Sequence, residues 1–510
     1  MVDKKTRILG FAAFLTAFAV VFAIALHMER KVCMGVPVIE ETRLAQYTED
    51  LEIDIGQITF CGQPVAADSG SGTLYISQPD DTMGHWSMLQ GKLKPQWMSQ
   101  NMYFVLDDAL QDIETAVRKG NPLTLVVVQG KSYCRLNVQI TILPVIRLTQ
   151  NVNIGADEQG RTVWSGEVTL FAGDDPSRGR MTVESYATLS HIRGHSSSSK
   201  AKKPWRLSLK DEDGENRNAD LLGMGADDDW ILNPMNMDDT KLREKCMIDA
   251  WNRHIAAFPE NGYRMSDARY VELVLDGVYQ GLYLLQRRVD AKYLELDRSK
   301  DILFKGINTW TANNVQEAYE FVDSLLDEDE AYARLSDVLE HGHIHIDNYI
   351  DILLFLQFYN AVDNGGYYNM FYVLKAEEAG YRMYLLPWDT DMSMGLYWID
   401  KIGFAYDYEY MIQCLNTRIE YENIKKFCPQ LDEWIAQRWK ELRETMYSAE
   451  SMEQCIRENI DPIEKSGAFQ RDNERWGFCY GGEDTWDALI RWCTERIGIM
   501  DRYYAFTEGN

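Results

Sequence analysis

An α+β fold is predicted for this 510-residue chain, and three observations predict it. Strand-patterned segments separated by Gly- and Asp-rich turns dominate the chain up to about residue 290. From about residue 340 the apolar spacing becomes largely helical. One two-strand pattern interrupts that helical half and ends on a pair of aspartates, in "YRMYLLPWDTD", residues 381–391. A β-rich front followed by a helical back is the order of an α+β chain. Composition agrees: 45% of residues are hydrophobic and 12% aromatic, with no low-complexity tract, enough for about two to four domains.

At the N-terminus, "MVDKKTR" carries Lys4, Lys5 and Arg7, and Ile8 to Leu26 then run without a charge. That run spans roughly 28 Å at about 1.5 Å per residue, close to the hydrocarbon thickness of a bilayer. The basic flank predicts a cytoplasmic N-terminus. The expectation is a transmembrane helix within residues 1–30, in a single-pass cell-membrane protein whose C-terminal domain lies outside the cytoplasm. The alternative is a protein secreted after signal-peptide cleavage, left open by small residues such as Ala23 and Ala25.

Residues 31–145 read as a small β-rich, sandwich-like module. "LEIDIGQITF" alternates apolar and polar residues, and "PLTLVVVQG" and "CRLNVQITIL" are β-branched. "LDDALQDIETAVRKG" has helical spacing and a closing glycine. The module holds no chemical constellation, so a spacer or binding role is expected. Residues 146–510 form the main domain. Its strand patterns are "TVWSGEVTLFAG", "KPWRLSLK" and "YVELVLDGVYQGLYLLQRRV", the last a hairpin with Gly277 in its turn. "HIDNYIDILLFLQFYNAV", "DEWIAQRWKELRETMYS" and "DTWDALIRWCTERIGIMDRYYAF" read as helices, and "YNMFYVLK…YRMYLLPWD" as a hairpin.

A net charge of −27 argues against nucleic acid as a partner, because phosphate backbones would be repelled. Phosphate chemistry would need a local basic patch. Nine cysteines are scattered with no C-x-x-C pair, which argues against a zinc ribbon or redox motif. Cys61 with Cys134 and Cys479 with Cys493 are either disulfides or buried free thiols.

Four stretches could carry chemistry. "HIRGHSSSSKAKKPWRLSLK" places Arg193, Lys202 and Lys203 among small residues ahead of a strand, either a phosphate-binding segment or a solvated loop. "WILNPMNMDDTKLREK" puts Asp238 and Asp239 where a plain helix N-cap explains them. "AVDNGGYYNMF" gives Asp363 and Asn369, followed by Asp389 and Asp391. That order suits phosphoryl transfer, with one Asp at the acceptor hydroxyl and Asn and Asp on Mg²⁺, which needs few hard oxygen ligands. Turn-forming Asp and Asn explain it equally. At a strand end, period-two alternation would point Asp389 and Asp391 to one side, and a divalent cation would relieve their repulsion. His341, His343 and His345 alternate as strand-borne ligands would, but a loop before a helix explains them without metal.

Taken as an ordered series, "RGHSS…KKPWRLSLK", "LLGM…DDWILN…D", "DGVYQGLYLLQ", "D…NMFYVL" and "LLPWDTD" resemble the CotH-type kinases, the spore-coat atypical protein kinase family, over about residues 140 to 505. The resemblance implies a divergent protein-kinase-like domain that binds ATP with Mg²⁺. It implies transfer of the γ-phosphoryl to a hydroxyl, serine by preference, of a coat or cell-surface protein. By position it assigns Arg193, Lys202 and Lys203 to the nucleotide, Asp363 to catalysis, and Asn369, Asp389 and Asp391 to the metal. The chain departs from the family at His195, usually Asn, at Gln286, often Glu, and in a slightly longer Asp363–Asn369 spacing. A lost Glu would remove an ion pair that positions a phosphate-binding Lys. The alternative reading is therefore a catalytically weak or inactive CotH-like surface adhesin or scaffold.

Overall fold

The computed structural model describes residues 32–33, 36–60, 62–78, 101–175, 180–194, 196–305, 343–364, 369–378, 380–398, 402–404, 421–479 and 484–505. It is a mixed assembly of strands and helices with a β-rich N-terminal region. The front carries β1 (Val36–Ile39), β2 (Thr73–Ser77), β3 (Met102–Val105), α1 (Ile113–Arg118), β4 (Leu123–Gln129) and β5 (Ser132–Thr141). Longer strands follow: β6 (Val145–Ala156), β7 (Thr162–Asp175) and β8 (Arg180–Ile192). Then come β9 (Trp205–Lys210), β10 (Asp229–Asn233), α2 (Arg243–Ala257), β11 (Ala268–Leu275), β12 (Val278–Arg287) and β13 (Ile302–Lys305). The back holds α3 (Ile346–Tyr359), β14 (Met370–Glu377), β15 (Gly380–Pro387), α4 (Leu431–Arg443), α5 (Ala449–Lys465), α6 (Ala468–Trp476) and α7 (Trp486–Tyr503).

The chain divides into two compact units. The first takes Met1–Ser190, Tyr270–Leu282 and Pro462–Arg475, and the second takes His191–Arg269, Tyr283–Asp461 and Trp476–Asn510.

In the first unit β5 pairs antiparallel with β4 and parallel with β2, β3 pairs antiparallel with β4, and β1 pairs parallel with β3. Leu74, Phe104, Leu125 and Val138 are fully buried in the core beneath this sheet. Two patterns resolve differently from expectation. "LEIDIGQITF" is not one strand: the Asp54 carboxylate accepts from Gly56 N at 3.0 Å and Gln57 Nε2 at 3.0 Å, closing a 3₁₀ turn over Ile55–Gln57. "LDDALQDIETAVRKG" breaks into two short helices, because Asp112 leaves the helical conformation and caps α1 through Thr115 N at 3.2 Å. Farther on, β6 pairs antiparallel with β7 and parallel with β11. Asp276 and Gly277 join β11 to β12, both in the left-handed region at φ 48° and 72°, as a two-residue hairpin turn requires.

In the second unit β9 pairs with β10, and β10 with residues 284–287 of β12. The strands β13, β14 and β15 form an antiparallel sheet, with the predicted hairpin as its β14–β15 half. The apolar run of α3 is buried along its length. Its Asn348 pairs with β15 as a backbone group would, accepting from Leu385 N at 2.7 Å and donating to Leu385 O at 3.1 Å. His345 caps α3 through Asn348 N, and His343 meets Tyr381 O at 3.3 Å, so these two histidines serve the helix start and the sheet edge. His341 lies outside the described residues.

Cys479 is an exposed free thiol and Cys493 a buried one, so the candidate Cys479–Cys493 disulfide is not formed. Cys134 is likewise free, and its candidate partner Cys61 lies outside the described residues. No helix among the described residues is long and apolar enough to cross a membrane. The predicted transmembrane helix and the single-pass membrane placement are corrected accordingly: the structure gives them no support. The Ile8–Leu26 stretch on which they rested lies outside the described residues.

Candidate active site

The site lies in the second unit, where the end of α3 meets the end of the β14–β15 hairpin. Asn360 terminates α3 in the left-handed conformation at φ 51°. The chain beyond β15 returns to this helix end, with Met394 N bonded to Tyr359 O at 2.7 Å and Val362 N to Met392 O at 3.1 Å. Asn364 fastens the two stretches together by donating to both Asn369 O and Trp388 O at 2.8 Å. These bonds bring Asp363, Asn369, Asp389 and Asp391 into one neighbourhood. Within it Asn369 Nδ2 donates to Asp363 Oδ2 at 2.6 Å.

Strand alternation does not place the paired acids. The strand ends at Pro387, and Asp389 sits at φ 58°, a left-handed conformation that Asp tolerates better than most side chains. Between the two partly exposed acids, Thr390 is fully buried. Its N–H and hydroxyl both donate to Glu244 Oε2, at 2.6 and 3.0 Å. Glu244 stands in the first turn of α2 and also accepts from Gln286 Nε2 at 3.2 Å. The residue before it, Arg243, donates to Ser393 O at 2.9 Å and Met394 O at 3.0 Å. The start of α2 thus clamps the acidic loop at Thr390 and again just beyond Asp391.

Asp238 does serve the start of α2, accepting from Arg243 N at 2.7 Å, whereas Asp239 accepts from Cys479 N at 2.6 Å. Gln286 has a physical reason for lacking a charge: a carboxylate there would face Glu244, whereas the amide donates to it.

The electrostatics are those of crowded carboxylates. Burial, then Asp389, push Glu244 up to about 7 against the hydrogen bonds from Thr390 and Gln286. Burial, then Asp389 and Glu244, push Asp391 well above the usual carboxylate range. Asp363 is raised by burial and Asp389, with Lys305 and Asn369 opposing. Two cations face this cluster. Burial lowers both Arg193 and Lys305, while Asp389 pulls each the other way. Lys202 and Lys203 are placed differently. The Lys202 ammonium is buried against Pro234 O at 3.0 Å and the Tyr283 ring at 4.6 Å, and that of Lys203 donates to Ser198 O at 2.9 Å. His195 lies outside the described residues.

Among the described residues no group of three or more His, Cys, Asp or Glu is placed to hold a metal ion. Mg²⁺ is commonly held by one or two carboxylates, with phosphate oxygens and water completing its shell. Asp389, Asp391 and Asn369 offer hard oxygens of that kind, and a cation there would offset the burial and like charges that raise Asp391, Asp363 and Glu244. The residues fit such an ion.

Sequence reasoning missed Glu244, Thr390, Arg243 and Lys305. Glu244 and Arg243 sat in a segment explained by capping, and Lys305 is a single charge at the end of "DILFK". The structure defines a mixed α/β chain with an acidic centre short of cations. A family model described as CotH kinase protein matches residues 191–500, and the chain belongs to that family. All the residues just described fall within the match, which begins later than the residue-140 start of the sequence resemblance. No curated protein matches the chain.

Proposed function

We propose that this chain is a protein kinase that transfers the γ-phosphoryl of ATP to a protein hydroxyl, serine by preference, with Mg²⁺. The supporting observation is the cluster of Asp363, Asp391 and Glu244, each raised by burial and then by the neighbouring Asp389, in a chain of the CotH kinase family. Asp389, Asp391 and Asn369 would hold the ion, which when bound supplies positive charge against the phosphates. Asp363, oriented by Asn369 Nδ2, receives the acceptor hydroxyl's hydrogen bond and proton. Arg193 faces the same acids and neutralises phosphate charge. Lys202 and Lys203 share that role by family position, and to reach a nucleotide they must leave Pro234 O and Ser198 O. A divergent kinase-like arrangement of the domain belongs to the same proposal. The partner is a protein, a coat or cell-surface protein by family analogy, since a net charge of −27 repels nucleic acid.

The engagement of both lysines favours a second reading, a CotH-like scaffold that keeps the fold without catalysis. Incubation of the purified protein with γ-labelled ATP and Mg²⁺ separates the two. The kinase reading expects autophosphorylation that is abolished in Asp363→Asn and Asp391→Asn. Wild-type protein that takes up no label, alone or with added protein acceptors, would favour the scaffold.

A further inference from the structure

Lys305 ends β13, in register with Phe371 of β14. Its ammonium lies 5.8 Å from the ring centre of Trp388, the residue before Asp389, and 6.0 Å from that of Phe371. Those two rings are themselves packed edge to face, 5.8 Å apart. Arg193 faces the same acids, whereas Lys202 and Lys203 are committed to carbonyl oxygens and Arg206 and Arg288 to Asp229. Among the described residues Lys305 makes no ion pair or hydrogen bond through its ammonium.

A half-buried ammonium held only by aromatic faces is a costly arrangement, because ring quadrupoles return part of the lost hydration. Burial disfavours its charge, while Asp389, Asp363 and Glu244 favour it and Arg193 opposes it. It therefore faces both the acid assigned to the acceptor hydroxyl and one of those assigned to the ion. On the nucleotide reading above, the phosphoryl group in transit would pass between those two acids. A lysine, as a compact point charge, suits an anion that moves during the reaction better than a bidentate arginine fork.

We propose that Lys305 contacts the terminal phosphate of the bound nucleotide and neutralises charge on the group being transferred. This rests on the nucleotide reading above. The competing role is a counter-ion that holds the acids together in the absence of ligand.

Calorimetric titration with Mg-ATP, Mg-ADP and AMP, for wild type, Lys305→Gln and Lys305→Arg, distinguishes these roles. Loss of a charge-assisted bond to the terminal phosphate should weaken Mg-ATP binding by about tenfold or more in Lys305→Gln and leave AMP within about twofold. Lys305→Arg should recover most of the preference for ATP over AMP. Lys305→Met, whose unbranched stem packs on the same rings, replaces the Gln variant should that fail to fold. Equal losses for all three nucleotides, or wild-type ATP affinity in a folded neutral variant, would overturn the assignment of Lys305 alone. Wild-type protein that binds no Mg-ATP would overturn the nucleotide reading, and this assignment with it.

Discussion

Two charged clusters begin at adjacent residues of α2, Arg243 and Glu244, and differ in how completely their charges are matched. Arg243 is fully buried and donates from every guanidinium nitrogen. Nη1 meets Asp238 and Asp484 at 2.6 Å, Nη2 meets Asp484 Oδ1 and Met394 O at 3.0 Å, and Nε meets Ser393 O at 2.9 Å. Burial pushes Asp238 up, but Arg243 and its hydrogen bonds hold it below its ordinary value, although Asp484 stays raised by its burial. One residue on, Glu244 faces Asp389 and Asp391, and its partners are neutral donors: Thr390 and Gln286. The first cluster is closed by its own cation and works as a fastener for the loop. The second leaves carboxylates in need of positive charge. Within one helix turn, a network built for stability adjoins one that a ligand must complete.

The largest expected effect breaks the closed cluster. Arg243→Leu leaves Asp238 and Asp484 buried without their cation, which costs about 3–5 kcal/mol, and chemical denaturation should show it with or without Mg²⁺. A loss below about 1 kcal/mol would mean that the network does not hold the loop.

The open cluster should show itself through pH. Glu244 has a folded-state pKa of about 7 against an ordinary value of 4.5, so between those values the folded state binds more protons than the unfolded one. Stability is then full below about pH 4.5 and falls as pH rises through 7, by about 3 kcal/mol for this group. Asp391 and Asp363, also raised, act in the same direction. Urea titrations of the metal-free protein across this window should show the decline, and Glu244→Gln should flatten it. A stability that climbs over that range would place the excess protons elsewhere.

The sequence exposes the parts of the fold that local pattern controls. The β14–β15 hairpin, α3 and the Asp276–Gly277 turn follow from alternation, apolar spacing and turn chemistry. "LEIDIGQITF" misleads because a side-chain bond from Asp54 outweighs alternation, and Asp112 divides one helical pattern in the same way. In the site, the acids are visible as residue types, but what makes them a site is not. Glu244 reaches Thr390 and Lys305 reaches Trp388 only through tertiary folding, and the left-handed backbone at Asp389 leaves no sequence mark because Asp accepts it. The basic loop shows the converse: residues that look solvated include Lys202, whose ammonium is buried.

That placement predicts two unequal neighbours. Lys202→Gln loses a buried charge-assisted bond and a ring contact and should cost about 2 kcal/mol in denaturation. Lys203→Gln, partly exposed and bonded to Ser198 O, should cost about 0.5 kcal/mol. Equal effects would contradict the buried position of Lys202.

The central claim is that the open cluster awaits a cation and its nucleotide, and thermal melting of wild type and Asp391→Asn, each with and without Mg-ATP, tests it most directly. Wild type should gain Tm on adding Mg-ATP. Asp391→Asn, relieved of one like charge, should melt at or above wild type without ligand and lose that gain. A wild-type Tm indifferent to Mg-ATP, or a destabilised Asp391→Asn that still responds to it, would contradict the account.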